Sequence, residues 1–338
     1  MRRGRYAVAA AGVCAVLTGC TGTAPAPDGG SPSPTQDVIA GQIPPFTVKS
    51  SLPTPLYAQE WGLDWDSMVE AAASTTWQQV RAGGVVQAAA CSGSGTPTVV
   101  YLNGLGSPAA WIWSPLAVEQ SATNRVCLFD RPGMGLSPNT SDPDVISDPM
   151  IHAAEMYSLV EALDEPGPYL LVAWSYGGLV ARAAGTLAPE KVAGLVLVDG
   201  ESPIASYLLT DSGGVGTPGM WMDGGAPVDV STAADTIGEG PDLGDRPVIV
   251  LQRGDRTLPP GEEIDWAEED RNQLQATTIS TNSLHAVVTD SDHGIPYRNP
   301  EAVLAATRAV SESVNADNAA LPDCPTDLAA SGVTRTPR

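Results

Sequence analysis

Residues 170–181 read Leu-Leu-Val-Ala-Trp-Ser-Tyr-Gly-Gly-Leu-Val-Ala. An apolar run of strand type meets a serine, two glycines follow, and an Ala/Leu-rich stretch of helix type begins at once. A chain that turns this sharply from strand to helix leaves the serine at the apex, its hydroxyl outward and its backbone strained. Small residues are needed around such a bend because strand and helix backbones pass close. Gly177, Gly178 and Ala173 meet that need.

The rest of the chain repeats the same alternation. Apolar runs at 85–90, 97–102, 125–129, 169–173, 192–198, 247–252 and 284–288 read as strands. Helical spacing occupies 65–74, 114–122, 150–163, the stretch from the serine turn to 187, 266–279 and 300–314. Strands of continuous apolar type, alternating with helices, predict a mainly parallel sheet covered on both faces. Residues 201–245 are Gly-rich with weak periodicity and read as an insertion.

The first 19 residues read as a signal peptide. Arg2, Arg3 and Arg5 precede an apolar stretch too short to span a bilayer comfortably. It ends in Leu17-Thr18-Gly19-Cys20, which resembles a bacterial lipobox. In such signals the cysteine thiol is lipidated and becomes the first mature residue. Residues 20–50 are largely Gly, Pro, Ser and Thr and read as a disordered tether behind a lipidated Cys20. The expected location is the outer face of the bacterial cell membrane, held there only by lipid, or secreted. The formal charge is −22, and loss of the three unbalanced arginines takes it to −25. Such a chain repels nucleic acid and anionic surfaces.

From about residue 77 to 314 the chain resembles the α/β-hydrolase fold family, of single-domain esterase type. The matching stretches are Asn103-Gly104-Leu105-Gly106, Asp130-Arg131-Pro132-Gly133-Met134-Gly135-Leu136-Ser137, Ala173-Trp174-Ser175-Tyr176-Gly177-Gly178 and Ser291-Asp292-His293-Gly294. The resemblance implies a mainly parallel eight-stranded sheet flanked by helices. It sets the hydrolase domain at 51–315, with 201–245 as a short cap and 316–338 as a C-terminal tail. It also implies a disulfide between Cys91 and Cys127, whose strands lie side by side in that fold. Cys324 is left over.

Nucleophilic catalysis at Ser175 needs a base. Of three histidines, His152 sits in a helix before the serine and reads as surface or filler. His285 lies inside a strand and reads as packed. His293 follows the last strand in a loop, where the family's histidine stands, and is the expected general base and acid. The triad acid is Asp199, closing the strand after the serine helix, or Asp255, closing the next one. Asp199 is preferred because Asp255 follows its glycine earlier than is usual and opens a long polar loop. The backbone N–H groups of Tyr176 and Leu105 are the expected oxyanion hole. Arg131 and Asp130 are expected to shape the neighbouring loop. Trp111, Trp113, Trp174, Met220, Trp221 and Met222 are candidates for an apolar acyl wall or for core.

The reading is a serine hydrolase of small carboxylic esters that needs no cofactor; no Cys/His cluster in the sequence marks a metal site. An aminopeptidase or thioesterase on the same fold is the alternative within enzymes. A catalytically inactive surface binding protein is the alternative outside them. Epoxide hydrolases and dehalogenases are disfavoured, since they resemble this fold but carry Asp where Ser175 stands.

Overall fold

Strands of Val, Leu and Ile with no polar alternation must be covered on both sides, and those of this chain form the middle of a twisted sheet. The computed structural model describes residues 37–43, 48, 64–139, 146–205, 219–223, 226–238, 240–258, 263–323 and 325–335. The signal segment, Cys20, most of the tether and Cys324 lie outside these residues. Among the described residues the strands are β1 (Asp37–Ile43), β2 (Trp77–Ala82), β3 (Val85–Ser92), β4 (Thr98–Leu102), β5 (Val126–Asp130), β6 (Tyr169–Trp174), β7 (Val192–Val198), β8 (Met220–Asp223), β9 (Ala226–Asp229), β10 (Val248–Arg253), β11 (Ser283–Val288) and β12 (Val333–Arg335). The helices are α1 (Trp65–Ser74), α2 (Ala109–Ile112), α3 (Ser114–Gln120), α4 (Pro149–Ala162), α5 (Gly177–Leu187), α6 (Thr232–Ile237), α7 (Trp266–Gln275), α8 (Ile295–Arg298), α9 (Pro300–Asn315) and α10 (Thr326–Ala330).

One sheet runs in the order β1-β2-β3-β5-β4-β6-β7-β10-β11-β12. From β5 to β11 every pairing is parallel, and β3 joins β5 antiparallel. One face packs under α1, α2, α3 and α9, with Trp77, Trp113 and Val196 in its core. The other packs under α4, α5 and α6, with Met156, Leu179 and Leu195. Helix starts carry their own signals. Asp148 caps α4 by accepting from the Ile151 N–H at 2.8 Å, with Pro149 in the first turn.

Three expectations need correction. Among the described residues the sheet has ten strands, not the eight expected. β1 lies inside the segment expected to be a tether, and β12 and α10 lie inside the expected tail. β2 carries Gln78, Gln79 and Arg81 and gives no apolar run. All three are edge or near-edge features, where backbone pairing suffices and few side chains must be buried. The inserted region contributes a separate hairpin, β8–β9, and α6.

The connection from β4 returns through α2 and α3 to β5, and the next one crosses back over β4 to β6. The chain therefore leaves the carboxyl ends of β4 and β6 in opposite directions. Ligands of open parallel sheets bind in the crevice this opens.

Candidate active site

Ser175 occupies that crevice, between the end of β6 and the first turn of α5. Its φ is +55°, in the left-handed region that a serine enters only when its surroundings impose it. The surroundings are visible. Its N–H donates to Val198 O at 3.2 Å, and its carbonyl accepts from Gly178 N–H at 2.8 Å and Glu201 N–H at 3.0 Å. A Cβ at Gly177 would overlap the Leu102 carbonyl, and one at Gly178 would come within 2.9 Å of Gly200 Cα. The two glycines are thus what allows β6, α5 and the end of β7 to close on the serine.

The loop after β4 approaches from the other side. A Cβ at Gly104 would lie 3.0 Å from the Trp174 ring and 3.3 Å from Ser175 Cβ. Among the described residues, neither the Leu105 nor the Tyr176 amide N–H donates a hydrogen bond. Arg131 donates to the carbonyls of Asn103 at 2.9 Å and Gly104 at 2.8 Å, so it braces this loop. Asn103 is buried, and its amide group donates to Ser107 O within the same turn.

His293 leaves β11 in a short loop. Its Nδ1 lies 2.7 Å from Asp199 Oδ2. Because a carboxylate only accepts, Nδ1 carries a proton, and the neutral ring therefore has its lone pair on Nε2. Trp174, the residue before the serine, stacks on the imidazole at 5.2 Å between centroids and donates its Nε1–H to His293 O at 2.8 Å. The imidazole and Ser175 are therefore referred to the same tryptophan.

Asp199 is buried at the end of β7, at φ +43°. Arg253 N–H donates to its Oδ1 at 3.0 Å, and Arg253 Nε lies 2.8 Å from its Oδ2. Burial pushes its pKa up, but the His293 hydrogen bond and the Arg253 charge outweigh this and hold it below the ordinary value. Asp255 stands apart. It is exposed, its carboxylate accepts from Thr257 N–H at 2.9 Å, and it faces a cleft with Asp290, Asp292 and Arg298. Asp292 caps the Gly294 N–H and pairs with Arg298.

His152, expected at the surface or as filler, is buried on α4, and its Nδ1 lies 2.8 Å from the Tyr176 hydroxyl. Burial, helped by the Arg131 charge, lowers its pKa to about 3, so it is neutral. Helix α4 is covered on more than one side, which a single-face periodicity could not reveal. His285 is packed within β11, with its pKa lowered by burial to about 4. Trp111 and Trp113 are core residues, Trp174 lines the site, and Met222 is exposed.

Sequence reasoning missed Glu201. Its Oε1 accepts from the Ser175 hydroxyl at 3.5 Å. Burial first, then the charges of Glu269 and Asp199, raise its pKa to about 7 against the opposing pull of His293 and Arg253. Its position two residues past Asp199 was the available signal.

The described residues with metal-ligand proximity are Cys91, Cys127 and Glu165. The two sulfurs are joined as a disulfide, 2.08 Å apart, so they do not offer a thiolate pair.

Residues 97–230 match the family described as alpha/beta hydrolase fold. The Bacillus subtilis protein YqjL is 25% identical over 219 residues, 62% of this chain and 82% of that protein. The pimeloyl-[acyl-carrier protein] methyl ester esterase of Edwardsiella ictaluri is 36% identical over 106 residues, 31% of this chain and 37% of the esterase. The polyketide synthase ThaQ of Burkholderia thailandensis is 29% identical over 161 residues, 47% of this chain and only 7% of the synthase. Among solved structures, a membrane phospholipase A described as a bacterial virulence factor superposes with a TM-score of 0.52 at 18% identity. It covers 77% of this chain and 96% of its own. That likeness concerns the fold.

Proposed function

We propose that this chain, which has the α/β-hydrolase fold, is a serine hydrolase of carboxylic esters working through an acyl-enzyme on Ser175. The observation that carries the reading is the convergence of three features in one crevice. These are a serine held at positive φ, an imidazole whose Nδ1 meets a buried carboxylate, and two backbone amides without hydrogen-bond partners among the described residues.

The serine hydroxyl swings from Glu201 to His293 Nε2 and attacks the ester carbonyl while the imidazole takes its proton. The oxyanion accepts from the Leu105 and Tyr176 amides, the second at the start of α5, where the helix dipole favours negative charge. Collapse expels the alcohol, which receives the proton from His293. Water then attacks the acyl-enzyme by the same proton path in reverse. Asp199 orients the imidazole and balances its positive form.

A fluorophosphonate probe should label the wild type and leave Ser175→Ala unlabelled, with p-nitrophenyl ester hydrolysis lost in parallel. Asp199→Asn should cost about 10⁴ in turnover, the scale known for losing the tautomer-fixing carboxylate; Asp255→Asn should stay within a few-fold. Absence of labelling in folded wild-type protein would favour a binding protein. Comparable small losses in both aspartate variants would reject both as the triad acid.

One observation favours a second reading. Burial and the charge of Glu269 raise the pKa of Glu201, which lies beside Ser175, and such an acid can meet a substrate amine, as an aminopeptidase requires. Aminoacyl amides screened beside graded p-nitrophenyl esters separate the two.

The protein is further proposed to be exported and anchored by lipid on Cys20. The lipobox-like sequence supports this, and a disulfide suits an oxidising compartment. Cys20→Ala should move the protein from the membrane pellet to the soluble fraction. An unchanged distribution would reject the anchor.

A further inference from the structure

Asp223 ends β8 in the inserted hairpin, 92 residues from Arg131 in sequence. Both side chains are only 3% exposed. Asp223 Oδ2 accepts from Arg131 Nε at 2.6 Å, and Oδ1 accepts from Arg131 Nη2 at 2.8 Å. The same Oδ1 accepts the Gly106 N–H at 2.8 Å. Arg131, for its part, holds the carbonyls of Asn103 and Gly104. The guanidinium also lies 5.1 Å from the centre of the Tyr176 ring, whose hydroxyl meets His152.

The pair therefore grips backbone groups on both sides of Leu105 and touches the side chain of Tyr176. The 103–106 loop has no sheet or helix ladder of its own, and Gly106 sits at φ +64°. Within the turn, Asn103 donates to Ser107 O, and the Ser107 N–H and hydroxyl donate to Gly104 O at 3.4 Å and Leu105 O at 3.3 Å. The remaining hold on the backbone either side of the Leu105 amide comes from Arg131 and Asp223. Burial works against both charges, but each partner outweighs it, so Arg131 stays protonated and Asp223 ionised. A planar fork pairing with a carboxylate sets direction as well as distance.

We propose that the Arg131–Asp223 ion pair is a latch through which the inserted hairpin sets the geometry of the oxyanion loop. Both are positioning residues. The proposal rests on the reading of Leu105 and Tyr176 as oxyanion donors. It makes the hairpin part of the catalytic apparatus rather than a cover over it.

The test compares wild type, Asp223→Asn and the double variant Arg131→Met with Asp223→Leu. The double variant replaces a buried ion pair by apolar groups, a change that is often neutral for folding. Each is assayed for kcat and KM on a p-nitrophenyl ester, for inhibition by an alkyl boronic acid that forms a tetrahedral anion on the serine, and for its melting temperature. Active sites are counted by exhaustive fluorophosphonate labelling.

Losing an oxyanion donor costs about 10²–10³ in turnover, and misplacing one should cost less, roughly 10–100-fold. The expected result is a kcat loss of that size in both variants, with KM within about threefold and boronate affinity falling in step with kcat. The double variant should show this loss while melting near wild type, which a merely structural role would not produce. Wild-type kcat and boronate affinity in either folded variant would overturn the latch. If Asp223→Asn does not fold, the double variant decides. A wild type that neither hydrolyses esters nor binds the boronate overturns the hydrolase reading itself, an outcome seen before any variant is compared.

Discussion

Glu201 shows how one carboxyl can tie folding and chemistry to the same pH. Its pKa of about 7 lies above the ordinary glutamate value of 4.5, with burial as the main cause. A group raised in this way contributes its full stability below about pH 4.5 and loses it as pH rises through 7. Glu201→Gln should therefore melt higher than wild type at pH 8 and close to it at pH 4.5. Activity should move the other way. Above pH 7 the wild-type carboxylate lies near an imidazole that becomes positive in the proposed reaction, and the amide gives no such balance. We expect Glu201→Gln to lose several-fold in kcat/KM at pH 8, and little at pH 5.5, where the wild-type side chain is itself protonated. Equal pH profiles for the two proteins would remove Glu201 from the mechanism. None of this is legible from a lone Glu in Asp199-Gly200-Glu201. The perturbation arises from burial, with Glu269 and Asp199 adding to it and His293 and Arg253 opposing it, and these four residues come from separate places in the chain.

Elements were legible where their own side chains decide them. The apolar runs of β4, β6, β7 and β10 and the turn into α5 follow from local composition, and α1 ends where its spacing predicts. The elements that escaped are those whose stability is borrowed. β2 is half polar and is held by pairing with β1 and β3. β12 is three residues long and exists by pairing with β11. The hairpin β8–β9 is short, and Asp223 at the end of β8 gains its partners only by reaching the loops after β4 and β5. The spacing of Met150, Ala153, Met156, Tyr157, Val160 and Leu163 gives helix α4 one apolar face. It is buried more widely, with Glu155 pushed by burial to a pKa of about 7 and His152 neutral beside Tyr176.

At the scale of the whole molecule, the disulfide links β3 to β5 across an antiparallel pair, closing a separation of 36 residues. A loop of that length restricts the unfolded chain by about 3–4 kcal/mol in the chain-entropy account. For a domain of this size, that corresponds to a melting shift on the order of 10 °C. The double variant Cys91→Ala with Cys127→Ala should melt lower by roughly this amount while keeping its esterase activity, since the bridge touches none of the candidate site residues. A melting temperature equal to wild type would mean the bridge adds nothing to stability. The acidity of the chain, −22 with 39 acidic residues, acts at the same scale. It disfavours nucleic acid and anionic surfaces as partners through long-range repulsion.

Local order along the chain determined the alternation of strands and helices, the strained serine turn and the succession of serine, acid and histidine. The first two depend on residues within a few positions of one another, and the third on the order in which strand ends follow along the chain. Which of two strand-end aspartates meets His293, which carboxyl sits beside the serine, and what braces the 103–106 loop were decided only by the tertiary structure. Those outcomes depend on how strands far apart in sequence twist and pair, and on burial that no single segment can supply for itself.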